Sequence, residues 1–287
     1  MRLAQQIGGE IVSVDSAAIY RGMDIGTDKP STADREIVPH YLLDIADPAD
    51  APTVAQFQQA GRACVDDILN RGRVPLLVGG SGLYFRAIVD PLEFPPTDPE
   101  VRSRLEAEAY EFGGYEMFRR LEVADPDAAS RMHPGNVRRT IRALEVIDIT
   151  GRPFSSYRTG WDDHQAVYDL RAAGLTLPLE QLSARIDARV DSLIARGWVD
   201  EVKALNDAGV RFSSTALQAL GYAQILGYLD GRSTLDRAIE QTKLRTRQFA
   251  RRQLRWFRAD PRIRWFEEPD AAAAYLTDDE VDKPVDD

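Results

Sequence analysis

Residues 10–30 read EIVSVDSAAIYRGMDIGTDKP, and this stretch decides the fold. It opens as a strand: Ile11, Val12 and Val14 are apolar and β-branched around the small Ser13. A run that is apolar on both faces is what a parallel sheet between two helix layers requires. The run stops at Asp15-Ser16. In open α/β sheets ligands sit beyond the carboxyl ends of the strands, so a carboxylate and a hydroxyl at that edge point to a site. The competing reading is that the pair only caps the next helix.

Working outward, the same grammar recurs. Met1–Ile7 reads as the last turns of a helix with no start signal, stopped by Gly8-Gly9. Residues 31–38 read as a short helix capped by Ser31 or Thr32, and residues 40–45 as a second strand closed by Asp47-Pro48. Residues 54–71 form an amphipathic pattern with Phe57, Ala60, Cys64, Ile68 and Leu69 on one side. Val74–Val78 reads as a third buried strand running into Gly79-Gly80-Ser81-Gly82 and a helix over 83–89. A strand, a Gly-rich turn and a helix together present free N–H groups to an anion. A tight turn that needs glycine for positive φ has the same appearance.

From Leu92 the pattern changes. Pro95-Pro96-Thr97-Asp98-Pro99 breaks the chain, and four amphipathic helices follow over 99–112, 114–124, 126–132 and 137–150 with no strand between them. The expected organisation is a core α/β domain over 1–92, a helical insertion over 93–165, and the rest of the core over 166–287. In that last part residues 167–177 read as a strand returning to the sheet, and 179–205 as a helix broken near Gly197. Residues 234–258 read as one long helix, 263–266 as a last strand, and Glu267 onward as a frayed acidic tail.

Charge and composition narrow the function. The 287 residues carry 36 Lys and Arg against 46 Asp and Glu, a net charge of -10, which argues against indiscriminate nucleic-acid binding. The long C-terminal helix departs from that average. Arg245, Arg247, Arg251, Arg252, Arg255 and Arg258 follow Glu240 with no acid among them, a local basic patch suited to phosphate. One cysteine, Cys64, forms neither an internal disulfide nor a Cys-based zinc site. His40, His133 and His164 are far apart. No apolar run approaches the ~20 residues of a membrane span, and no secretory pattern opens the chain, so a cytoplasmic location is expected.

Val14 to Pro30 closely resembles the segment V-D-S-x-x-[IV]-Y-[RK]-G-M-D-I-G-T-x-K-P of tRNA dimethylallyltransferases, also called tRNA isopentenyltransferases. Leu77 to Tyr84 matches that family's L-V-G-G-[TS]-x-L-Y, and Ala216 to Tyr222 its A-x-Q-A-[IL]-G-Y. Thr246 to Arg258 resembles T-R-[QR]-[LY]-A-[KR]-R-Q-x-[TR]-W-[FL]-R, with Phe249 at the [LY] position; Asp98 to Arg102 and His133 to Val146 also resemble family segments. The resemblance runs from Gly8 to about Phe266. It implies a P-loop-NTPase-like parallel sheet flanked by helices, with an all-helical insertion that binds tRNA.

The implied reaction moves a dimethylallyl group from dimethylallyl diphosphate to N6 of adenosine 37 in the tRNA anticodon loop. An exocyclic adenine amine is a poor nucleophile, so a carboxylate that accepts its proton as the C–N bond forms is needed, and Asp15 is the candidate. Loss of diphosphate leaves cation character at the allylic carbon, which calls for Mg²⁺ and cationic donors. The resemblance assigns Arg189 to the diphosphate and Ser81 to the target nucleotide. Without it, Arg185 and Arg189 near Asp187 and Asp191 read as an ordinary charged helix face.

The remaining tRNA contacts implied are Ser16, Ala17, Ala18, Arg102, Arg138, Arg139, Arg142, Gln218, Gly221, Tyr222, Arg251, Arg252, Gln253, Arg255 and Arg258. A base inside a folded anticodon loop must be extruded to reach such a site. For the arginines of the insertion, a solvated helix face is the plainer reading. A single cysteine fits the bacterial form without a zinc finger, expected as a nucleotide-binding (ATP-binding) monomer.

One element of the family pattern is missing. None of the four lysines, Lys29, Lys203, Lys243 and Lys283, sits in a G-x-x-x-x-G-K-[ST] loop. That leaves no loop for the expected Mg²⁺. It also raises two expectations, a start placed too late or a truncated copy. Three rivals follow: an inactive tRNA-binding remnant, an enzyme prenylating free adenine nucleotide (an adenylate isopentenyltransferase), and a nucleotide-kinase fragment.

Overall fold

The computed structural model describes residues 1–158, 161 and 163–278. They fall into two compact units, Met1–Val89 with Tyr168 onward, and Asp90–Val167.

In the first unit α1 (Arg2–Ile7) ends on Gly8 in the left-handed conformation and delivers the chain into β1 (Gly9–Val14). β1 is buried along its whole length and pairs in parallel with β2 (His40–Tyr41) on one side and β3 (Val74–Gly79) on the other. Between them lie α2 (Thr32–Ile37) and α3 (Val54–Asn70). Each opens on a reciprocal capping box, from Ser31 with Asp34 and from Thr53 with Gln56. α4 (Gly82–Val89) follows β3. Val12, Val14, Ile19, Phe57, Val65, Ile68 and Ile88 make the core between sheet and helices and bury apolar area from both sides of β1.

The second strand is shorter than the sequence predicts. Leu42 and Asp44 take positive φ of 63° and 57°, so the ladder breaks after Tyr41. The chain instead runs beside the segment after β1, where the Asp44 and Ala46 amides donate to Ala18 and Ile19 carbonyls at 3.4 and 3.0 Å. β3 is also less buried than expected: Val74 and Val78 are 44% and 54% exposed, because β3 is an edge strand of this sheet. The segment expected to return to the sheet does not. Only β4 (Ala172–Leu175) forms, and it pairs in parallel with β5 (Ile263–Phe266) in a separate two-stranded sheet.

The second unit holds α5 (Pro99–Phe112), α6 (Gly114–Ala124), α7 (Pro126–Ser130) and α8 (Val137–Thr150). Their apolar stripes meet in a core of Leu105, Met117, Phe118, Leu121, Ile141 and Leu144. Asp98, Asp125 and Asn136 cap three of these helices through their side chains.

After β4 the first unit continues with α9 (Leu179–Ala195) and α10 (Trp198–Asp207), separated at Gly197 with φ 96°. Then come α11 (Tyr222–Leu229) and the 24-residue α12 (Leu235–Arg258), capped by Thr234. The tail expected to fray forms α13 (Pro269–Thr277), with Ala272 buried; residues 279–287 lie outside the described residues. No described helix is long and apolar enough to cross a membrane.

Candidate active site

β1 stops at Val14 and leaves Asp15 half-buried at the carboxyl edge of the sheet. Its Oδ1 accepts from the Ala17 and Ala18 amides at 2.6 and 3.1 Å. This turn fixes the carboxylate and leaves Oδ2 without a protein partner among the described residues. The loop after β3 closes on the same edge. The Ser81 amide donates to the Val14 carbonyl at 3.2 Å, and Ser81 Oγ accepts from the Ser16 amide at 3.2 Å. Asp15, Ser16 and Ser81 therefore converge, although 65 residues separate the two serines.

The long helix α12 docks on this loop. Gln253 Nε2 donates to the Gly80 carbonyl at 2.8 Å. A Cβ at Gly80 would strike the Gln253 amide, and one at Gly82 the Trp256 indole, so the two glycines let these α12 side chains lie against the loop backbone. Tyr84 on α4, not singled out from sequence, packs tilted against Phe57 with ring centroids 4.3 Å apart. Burial first, then the neighbouring Tyr20 and the Asp15 charge, push its phenol up to about 12. It stays protonated at neutral pH.

Arg189 lies exposed on α9, and its guanidinium contacts Asp28 at 3.3 Å, which also takes Arg196 at 2.6 Å. Asp28 belongs to the loop after Asp15 and carries a positive φ of 52°. Gln218 is exposed, with its amide on the Ser214 carbonyl at 3.2 Å. Gly221 and Tyr222 are buried: Gly221 holds φ 94° beneath the Trp198 ring, and the Tyr222 hydroxyl donates to Glu201 at 2.7 Å. Ala18 is buried and Ala17 half-buried, so both offer backbone rather than side chain to a ligand. Asp28 and Glu201 have no motif to mark them in the sequence.

On α12, Arg251, Arg252, Arg255 and Arg258 are exposed. The first three carry no ion pair among the described residues, and Arg258 lies over the Trp265 ring at 5.8 Å. Arg247, by contrast, is paired with Asp187 on α9.

The arginines of the second unit divide in the same way. Arg138 and Arg139 are exposed at the start of α8. Arg102 and Arg142 both reach Glu145, which is 0% exposed and also accepts from the Asp98 amide at 3.0 Å. Arg142 further donates to the Pro95 and Pro96 carbonyls at 2.6 and 2.9 Å. Burial pushes the Glu145 carboxyl up, but the hydrogen bonds from Arg142, the Asp98 amide and Arg102 outweigh it and hold it below the usual carboxylate range. Among the described residues no group of three or more His, Cys, Asp or Glu is placed to hold a metal.

Comparison with known proteins bears on what such a site does. The IPP transferase family model matches residues 18–260. The chain is 50% identical over 264 residues to a tRNA dimethylallyltransferase of Kineococcus radiotolerans, covering 92% of this chain and 82% of that protein. It is 51% identical over 263 residues to one of Streptomyces coelicolor, covering 92% and 83%. Among solved structures it resembles the full-length tRNA isopentenylpyrophosphate transferase of Bacillus halodurans, with TM-score 0.67, 39% identity, and 96% and 88% of the two chains covered. It also resembles a eukaryotic dimethylallyltransferase acting on tRNA, with TM-score 0.76, 26% identity, and 92% and 69% covered. The parallel sheet, the carboxylate at its edge and this breadth of similarity lead to one conclusion: the chain belongs to the IPP transferase family, that of the tRNA dimethylallyltransferases.

Proposed function

We propose that the chain transfers a dimethylallyl group from dimethylallyl diphosphate to N6 of adenosine 37 in tRNA. The observation that carries this reading is Asp15, held by its Oδ1 with Oδ2 unpartnered among the described residues, beside Ser16 and Ser81 at the sheet edge. In the reaction the N6 lone pair forms a bond to C1 of the dimethylallyl group as the C1–O bond breaks. Diphosphate leaves with that electron pair, and Asp15 Oδ2 takes the N6 proton. Arg189 meets the departing negative charge. Arg251, Arg252, Arg255 and Arg258, with Arg138 and Arg139, are the cations available to the RNA backbone, and Gln253 positions the Ser81 loop.

Mg²⁺ belongs to this reading as the counter-ion that travels with the diphosphate. The described residues offer no protein-built cage, and every step above is carried by the chain's own groups. We take the working form to be a cytoplasmic monomer, which sedimentation of the purified chain would check.

A second reading, binding without transfer, is favoured by one sequence fact: no G-x-x-x-x-G-K-[ST] loop occurs in these residues. One experiment separates the two. The chain is incubated with an anticodon stem-loop RNA and isotopically labelled dimethylallyl diphosphate, with Mg²⁺. Transfer predicts label on the adenine and a loss of about 10²–10⁴-fold in rate for Asp15→Asn, the range of general-base catalysis. Stem-loop binding with no label incorporated supports the second reading and refutes the first. A free adenine nucleotide that outcompetes the stem-loop would refute tRNA as the substrate.

A further inference from the structure

Glu201, in the first turn of α10, accepts four hydrogen bonds. The amides of Asp24, Ile25 and Gly26 donate to it at 2.8, 2.6 and 3.2 Å, and the Tyr222 hydroxyl at 2.7 Å. Three successive backbone N–H groups converging on one point form a nest that binds anions. Here the anion is the protein's own carboxylate. Burial first, then the charge and hydrogen bond of Glu201, raise the Tyr222 phenol far above its ordinary value, so that donor is permanent.

The same loop is locked from its other end. Lys29 Nζ, buried, reaches the Tyr20 carbonyl at 2.5 Å, Asp24 at 2.7 Å and Asp44 at 2.6 Å. The Trp198 ring fills the space that a side chain at Gly26 or Gly221 would need. Between these anchors the Asp28 amide donates to the Ile25 carbonyl at 2.9 Å, and Asp28 presents its carboxylate to Arg189 and Arg196.

We propose that Glu201 is a positioning residue: by gathering the 24–26 amides and Tyr222 onto α10, it fixes where Asp28 holds Arg189 for the diphosphate. This inference rests on the reading of Arg189 given above. Lys29 and Trp198 define the outline of the loop, but only Glu201 bonds the three amides that set its backbone.

The test uses the full chain and Glu201→Gln, with Glu201→Ala beside it. Glutamine keeps one acceptor oxygen for the Asp24 and Ile25 amides and turns its NH₂ toward Gly26 and the Tyr222 hydroxyl, which can accept from it where the Gly26 amide cannot. Amide hydrogen exchange at Gly26 should quicken about tenfold or more, the effect of losing one bond to a charged acceptor, while Asp24 and Ile25 stay protected. Affinity for inorganic diphosphate, measured by titration calorimetry, should fall about tenfold for the same reason, and anticodon stem-loop affinity should hold. In Glu201→Ala all three amides should lose protection, and added formate should restore it by occupying the nest.

A purely structural carboxylate would lower the melting temperature and leave diphosphate affinity of the folded chain unchanged, and that result overturns the proposal. So does unchanged exchange at Gly26 in Glu201→Gln, which stays informative where Glu201→Ala fails to fold, or a wild-type chain that binds no diphosphate. A wild-type chain that binds diphosphate and transfers no dimethylallyl group refutes the functional reading while leaving this one standing.

Discussion

Replacing Glu10 by glutamine tests how a buried charge on the central strand is held. Glu10 is 7% exposed, and its two oxygens take the Arg71 guanidinium at 2.6 and 2.7 Å and the Tyr41 hydroxyl at 2.7 Å. The Arg71 hydrogen bond, working against burial and joined by Tyr41 and the charges of Arg71 and Arg73, lowers the carboxyl from 4.5 to about 2. At about 1.4 kcal/mol per pH unit this corresponds to roughly 3 kcal/mol. Arg71 is 41% exposed, and solvent screening reduces the expected contribution to about 1–2 kcal/mol. The sign follows from the direction. A lowered folded-state value contributes stability that is fully present above 4.5 and is lost as pH falls through about 2. Glu10→Gln should therefore unfold about 1–2 kcal/mol more easily than wild type at neutral pH, with an unchanged m-value. That gap should narrow steadily once pH drops below 4.5. Urea denaturation followed by tryptophan fluorescence across this range measures both. A gap of the same size at neutral and acid pH would show that the variant disturbs packing, and the electrostatic account would be refuted.

Three further outcomes are expected. Glu145→Ala strips a fully buried carboxylate from the partly exposed Arg102 and Arg142 and leaves the Asp98 amide without its acceptor; it should destabilise the chain by about 1–3 kcal/mol, read by urea denaturation, with limited proteolysis cutting first within 90–167. Gly221→Ala combines a φ of 94° with a clash against the Trp198 ring and should lower stability by about 2 kcal/mol or more, seen as a fall in melting temperature. Arg251→Ala and Arg255→Ala should each reduce the slope of log K against log salt for stem-loop binding by about 0.7–0.9, whereas Arg247→Ala, whose partner is Asp187, should lower stability and leave that slope unchanged.

Much of the fold was legible because local signals agreed with one another. β1 carried apolar residues on both faces, and the helices over 32–37, 54–70 and 137–150 opened on side-chain caps the sequence displays. What was not legible came from distant groups. Residues 40–45 look like a strand, yet Leu42 turns to positive φ to bury its side chain to 4% exposure, and Asp44 is held by Lys29 and Arg35. Nothing local marks Leu42, and an aspartate at position 44 tolerates the left-handed region without demanding it. The partners of the segment over 167–177 were equally hidden. Whether a short parallel strand joins one sheet or another depends on which edge it meets, and hydrophobic pattern carries no information about that.

The site shows the same division, and the arginines show why. Arg102, Arg138, Arg139 and Arg142 look alike in sequence, a basic cluster on helices at helical spacing. The structure separates them by one residue: Glu145 stands at a buried position of α8, three residues after Arg142, in the run Arg142-Ala143-Leu144-Glu145-Val146. An acid in the middle of an apolar stripe must find cations, because burying it unpaired costs more than a helix of that size can offset. Arg102 and Arg142 answer that need, while Arg138 and Arg139 stay exposed for another partner. The rule carries over to α12, where Arg247 has Asp187 and Arg251, Arg252 and Arg255 have no acid among the described residues. In a chain of net charge -10, the clustering of these exposed arginines on one helix, with no acid after Glu240 to offset them, marks a surface suited to an anion from outside.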